Sequence, residues 1–179
     1  RQSMDRPDFL KTVLMSRGLV NSFTISVNVS RMHVYQEKFT ENLKNMAGEY
    51  GIDPKYIPLE ITESAFTKEE GSLFKKVQSL QGYGFKFSMD DFGSGYSSLG
   101  MLKSERVDEV KIDKTFVDDI ATDKGKVLLG NVIRMINELG IDMIAEGVET
   151  KEQADFLKEN GCMYAQGYYC LLYTSDAAD

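Results

Sequence analysis

Asp90 and Asp91 stand side by side and run directly into Phe92-Gly93-Ser94-Gly95-Tyr96-Ser97-Ser98. Two adjacent carboxylates repel, at a cost of roughly 4 kcal/mol for a separation of about 4 Å in an effective dielectric of about 20, and a divalent cation removes that cost. Gly93 and Gly95 allow positive φ angles and close approach of a ligand, while Ser97 or Ser98 can cap a following helix. Other chemistry-bearing residues close short aliphatic runs in the same way: Asn28, Glu60, Lys111 and Glu146. Gathered in one place, four carboxylates, one amide and one ammonium offer oxygen donors that suit Mg²⁺ or Mn²⁺ rather than zinc. Such a set can hold two ions, and the chemistry it implies is in-line attack of a metal-activated water on a phosphodiester.

Phe85, Phe87 and Met89 alternate with Lys86, Ser88 and Asp90, the period of a strand with two different faces. Similar alternation predicts strands over Phe23–Ser30, Ile57–Thr62, Asp108–Asp113, Ile141–Glu146 and Met163–Tyr169. Helical spacing predicts Pro7–Gly18, Tyr35–Tyr50, Glu69–Gln81, Ser98–Lys103, Lys126–Leu139 and Lys151–Asn160 between them. Strands alternating with helices imply βαβ units on a parallel sheet. In a β/α barrel the aliphatic faces pack under the helices and the strand C-terminal ends converge over one mouth, which would bring the polar set together. Asp91 is a difficulty in a regular strand, because neighbours point to opposite faces, so it joins the set only if the backbone turns at once.

The 179 residues suffice for one sizeable core, and 42% hydrophobic with 27% charged residues is ordinary for a globular domain. An excess of 28 acidic over 21 basic residues argues against a nucleic-acid polymer as partner but is compatible with a small anionic ligand met through metal ions. Cys162 and Cys170 lack a Cys-x-x-Cys spacing, suggest neither a disulfide framework nor a zinc site, and fit a reducing cytoplasm. No apolar run approaches the length of about 18 residues that a membrane span needs. His33 is read as a solvated or helix-start residue and receives no role.

At these residues the chain resembles the EAL family of cyclic di-GMP phosphodiesterases. The matching segments are Ser26-Val27-Asn28-Val29-Ser30, Leu59-Glu60-Ile61-Thr62-Glu63-Ser64, Asp90 through Leu99, Lys111-Ile112-Asp113, Ala145-Glu146-Gly147-Val148-Glu149-Thr150 and Gln166-Gly167-Tyr168, in the family's order. The resemblance implies a modified TIM (β/α) barrel with about six βα units present, two Mg²⁺ or Mn²⁺ ions, and conversion of cyclic di-GMP to linear pGpG. By the same resemblance Asn28, Glu60 and Asp90 would hold one ion, and Asp90 would bridge to a second held by Asp91 and Glu146. Lys111 would orient the hydrolytic water, with Glu146 an alternative base. Glu63 and Glu149 would brace the glycine loop, while Gly93, Ser94, Gly95, Tyr96, Ser97 and Gln166 would line the substrate. A homodimer, a fused GGDEF or sensory domain outside this chain, and a cytoplasmic location, free or as part of a membrane-anchored protein, are the partners and setting implied.

Departures from the family qualify that expectation. The Glu-Ala-Leu strand that names the family would precede Arg1, and Cys170–Asp179 does not resemble the family's ending. The expectation is therefore a partial domain over residues 1–169 with first strand and last helix missing, an atypical tail over 170–179, and weak turnover by these residues alone. Ser104-Glu105-Arg106-Val107 also lacks the family's usual proline before the Val-Asp pair. Two other functions remain open: a non-catalytic module that binds cyclic di-GMP or a partner protein and acts as a sensor, and a different two-metal phosphodiesterase on the same barrel.

Overall fold

The alternating runs become short parallel strands in the computed structural model of the protein, which describes residues 24–30, 32–33, 36–63, 70–93, 102 and 107–170, with 70–74 as backbone alone. The strands are β1 (Val27–Asn28), β2 (Leu59–Thr62), β3 (Phe87–Phe92), β4 (Glu109–Ile112), β5 (Asp142–Ala145) and β6 (Tyr164–Ala165), hydrogen-bonded in chain order with β1 and β6 at the ends of the series. Five α-helices lie among them in the described residues: α1 (Phe39–Glu49), α2 (Glu70–Gln81), α3 (Lys114–Asp118), α4 (Asp123–Glu138) and α5 (Lys151–Glu159). This is the α/β architecture that the sequence predicts. The helices expected over Pro7–Gly18 and, apart from Leu102, Ser98–Lys103 lie outside the described residues, as do Ser94, Gly95, Tyr96, Ser97 and the tail after Cys170. No helix among the described residues is long and apolar enough to cross a membrane.

Two compact units divide the chain, residues 1–60 with 71–86 and residues 61–70 with 87–179. In the first, Val27 lies opposite Leu59 and Asn28 opposite Glu60, so the two polar residues sit at the same level, Asn28 closing β1 and Glu60 standing second in β2. Helix α1 repeats its buried residues Phe39, Leu43 and Ala47 every fourth position, a stripe on one face. Its Lys44 ammonium donates to Ser79 Oγ on α2 at 3.0 Å, and the Tyr83 hydroxyl donates back to Lys44 O at 3.4 Å.

In the second unit β3 to β6 stack in parallel, with Val110 opposite Met143, Ile112 opposite Ala145, and Ala145 opposite Ala165. Met89, Val110, Ile112, Met143 and Ala145 are buried, as are Leu129, Ile133 and Ile136 of α4 and Leu157 of α5. Because successive strand residues alternate, the other face is left to Asp90 and Lys111. Helix α4 starts at Asp123 rather than at the expected Lys126, since Thr122 Oγ1 accepts from Gly125 N at 3.0 Å and caps it.

Helix α3 and the 3-10 turn Asp119–Ala121 arise where the sequence reading placed no element. Asp113 starts α3 by accepting from Thr115 N at 2.9 Å, and five residues are too few to show a helical period. The strand expected over Met163–Tyr169 shrinks to Tyr164–Ala165. Beyond it the chain wraps Val148 instead, with Val148 N donating to Gln166 O at 3.1 Å and Tyr169 N to Val148 O at 3.0 Å. A Cβ on Gly167 would lie 2.2 Å from Val148 O, so the close approach requires glycine.

Candidate metal centre

The end of β3 departs from a regular strand at the residue that the alternation could not accommodate. Met89 pairs with Val110 and Phe92 with Ile112, so the chain spends one more residue on β3 than on β4 across that step. Such a bulge re-aims side chains. Asp91 takes the extra position at φ 57°, a left-handed conformation that aspartate tolerates better than most residues. Gly93 follows at φ 96°, where an added Cβ would meet the Phe116 ring at 1.8 Å. Its N–H donates to Glu63 Oε2 at 3.2 Å, and Glu63 is buried at the end of β2.

Asp90, Asp91 and Glu146 come together there, each with a carboxylate oxygen within 4.8 Å of the others. Lys111 reaches into the group from β4, its Nζ 3.2 Å from Asp90 Oδ1 and 2.6 Å from Glu146 Oε1. The lysine is 8% exposed, so it neutralises two carboxylates with little competition from solvent. Gln166 Nε2 donates to the same Glu146 Oε1 at 2.6 Å. Burial, the Asp90 carboxylate and the Asp113 carboxylate, in that order, push the Asp91 carboxyl above the usual carboxylate range against the opposing pull of Lys111. Three carboxylates against one ammonium leave a surplus of negative charge and of oxygen donors, a set that fits a hard divalent cation held by Asp90, Asp91 and Glu146.

Asn28 and Glu60 lie in the first unit, paired across β1 and β2, Asn28 exposed and Glu60 buried. Glu149 forms an ion pair with Lys114, its Oε1 3.0 Å from the ammonium. Ser94, Gly95, Tyr96 and Ser97 fall outside the described residues.

Sequence reasoning missed Lys114, Phe116 and Gln153, which contact the loops that follow Asp91 and Glu146. The Lys114 stem covers Gly147, where a Cβ would lie 2.4 Å from Lys114 Cγ and where φ is 68°. Its ammonium also pairs with Asp118 Oδ1 at 3.0 Å. Gln153 closes a capping box with Thr150, its Oε1 accepting from Thr150 N at 3.0 Å and Glu149 N at 2.7 Å, while its Nε2 donates to Asp118 Oδ1 at 3.4 Å. The Asp-x-Thr spacing at Asp113 and a glycine directly after Glu146 were the available signals.

The EAL domain profile matches residues 9–172. The chain is 39% identical over 146 residues to the oxygen sensor protein DosP of Escherichia coli strain K12, an overlap of 81% of this chain and 18% of DosP. It is 35% identical over 152 residues to the probable cyclic di-GMP phosphodiesterase PdeG of the same strain, covering 84% of this chain and 30% of PdeG. The chain thus spans less than a third of the length of either relative. Among solved structures, the PaMucR phosphodiesterase in complex with c-di-GMP aligns with a TM-score of 0.78 at 31% identity, over 87% of this chain and 63% of that one. The manganese and cyclic di-GMP complex of Klebsiella pneumoniae BlrP1 aligns with a TM-score of 0.79 at 26% identity, over 94% of this chain and 45% of that one. These likenesses place the parallel sheet and its helices in the TIM-barrel-like fold of EAL domains. With the profile running along nearly all of its residues and relatives 39% and 35% identical over the aligned stretches, the chain belongs to the EAL domain family.

Proposed function

We propose that the protein containing this chain hydrolyses cyclic di-GMP to linear pGpG with two Mg²⁺ or Mn²⁺ ions. One observation carries the reading: carboxylates from the ends of β3 and β5 converge within 4.8 Å around the Lys111 ammonium. The names of PdeG and of the PaMucR complex support the substrate, and the manganese in the BlrP1 complex supports a divalent cation. In this reading Asp90, Asp91 and Glu146 would hold one of the ions. Bound ions supply Lewis-acid polarisation of the phosphodiester and a lowered pKa for the attacking water.

The chain's own side chains supply orientation and proton handling. Lys111 Nζ is a donor fixed between Asp90 and Glu146 and directs the water toward the phosphorus. Glu146 accepts a proton in the alternative assignment, and Gln166 holds its Oε1 against rotation. Gly93, Ser94, Gly95, Tyr96 and Ser97 line the substrate, with Glu63 fixing the loop through Gly93 N and Glu149 as its second support. A homodimer, a fused GGDEF or sensory domain and a cytoplasmic setting complete the proposal.

The test incubates the natural full-length protein with cyclic di-GMP and Mn²⁺ or Mg²⁺ and measures pGpG by chromatography. Turnover is expected, and Lys111→Ala abolishes it while leaving most of the binding. Equal turnover in Lys111→Ala overturns the role of that residue. Tight binding by the unaltered protein without product overturns the enzyme reading in favour of a sensor module.

A further inference from the structure

Helix α3 is five residues long, yet two of its side chains reach the two loops that carry the carboxylates. The Phe116 ring fills the space beside Gly93, two residues beyond Asp91, and the Lys114 stem fills the space beside Gly147, the residue after Glu146. Added Cβ atoms would sit 1.8 Å and 2.4 Å from these side chains, so both loops rest on α3 at backbone contact distance. The helix is itself anchored to β4 two residues after Lys111, through the Asp113 cap on Thr115 N at 2.9 Å. Main-chain bonds tie the same strand ends together, Asp113 N to Phe92 O at 3.4 Å and Glu146 N to Ile112 O at 3.0 Å.

We infer that Phe116 and Lys114 are positioning residues, which by seating against Gly93 and Gly147 set the separation of Asp91 and Glu146 on either side of Lys111. The inference rests on the metal-centre reading above. Steric seating, rather than charge, is the agent at Lys114. Its ion pairs with Asp118 and Glu149 are between 43% and 56% exposed and contribute little in water. The stem against Gly147 has no such competitor.

Mn²⁺ titration of the full chain by electron paramagnetic resonance tests this. Phe116→Ala and Lys114→Ala each weaken binding by about tenfold, the usual consequence of removing support behind metal ligands, whereas Lys114→Met, which keeps the stem and loses the charge, stays within about twofold. Where turnover is measured, kcat falls in the alanine variants and KM holds. Unchanged Mn²⁺ affinity in both alanine variants, with folding verified by circular dichroism, overturns the inference; so does a loss in Lys114→Met equal to that in Lys114→Ala. Should Phe116→Ala fail to fold, the two Lys114 variants decide. Failure of the unaltered protein to bind Mn²⁺ instead overturns the metal-centre reading, and the inference with it.

Discussion

At the end of β5 a single carboxylate, Glu146, leaves a strand held in unbroken register with β4, whereas the end of β3 slips its register and turns Asp91 into a left-handed conformation. The regular route delivers one ligand by alternation alone. The irregular route delivers two neighbours to one cluster and requires Gly93, Glu63 and Phe116 around it. Doubling the carboxylates at one strand end therefore moves the cost into the surrounding loops.

The comparison breaks most sharply at Gly93. Gly93→Ala combines positive-φ strain with a collision against Phe116 and should lose about 4 kcal/mol in urea unfolding. Lys111→Met strikes both routes together, leaving Asp90 and Glu146 facing one another without their cation. It should cost about 3 kcal/mol. Added Mn²⁺ should return part of that stability, measured as a rise in midpoint.

Asp91→Asn sharpens the contrast in the opposite direction. The folded Asp91 carboxyl has its pKa raised, so its contribution is fully favourable below the unfolded pKa and is lost as pH rises through the folded one. Asparagine also tolerates the φ of 57°. Without metal the variant should melt higher than the unaltered chain at neutral pH, lose that advantage in acid, and bind Mn²⁺ more weakly. A melt that is lower at neutral pH would remove burial and carboxylate repulsion at Asp91 as the tension in this loop.

Gly140→Ala is the control for Gly93, with a similar sign of φ at 69° but nothing within 4 Å of an added Cβ. It should cost only about 1 kcal/mol. The smallest effect concerns Cys162, whose thiol is pushed up by burial. It should resist alkylation at neutral pH until the chain unfolds, checked by mass spectrometry.

Asn28, Glu60, Asp90, Lys111 and Glu146 stood out in the sequence because alternation puts them opposite the aliphatic positions, and of these Asp90, Lys111 and Glu146 meet in the structure. Asp91 stood out as an exception, and its resolution needed the φ angle and the slipped register, neither of which a residue pattern encodes. Phe116 and Lys114 drew no reading from the sequence, because nothing in their spacing sets them apart. Their importance depends on which glycine each meets, and those glycines belong to other strands. The overlong strand at Met163–Tyr169 failed for a related reason: an incoming Val148 claims the backbone groups of Gln166 and Tyr169 that would have continued it.

The capping box of α5 constrains its own evolution. Gln153 presents an acceptor to two main-chain amides and a donor to Asp118 from the two ends of one planar group. Glutamate would keep the first function and set like charge against Asp118, lysine would keep the second and orphan both amides, and asparagine is one methylene shorter. Substitutions that pass unnoticed elsewhere on the helix should be poorly tolerated at this position, where a side chain of neutral charge secures the turn directly behind Glu146.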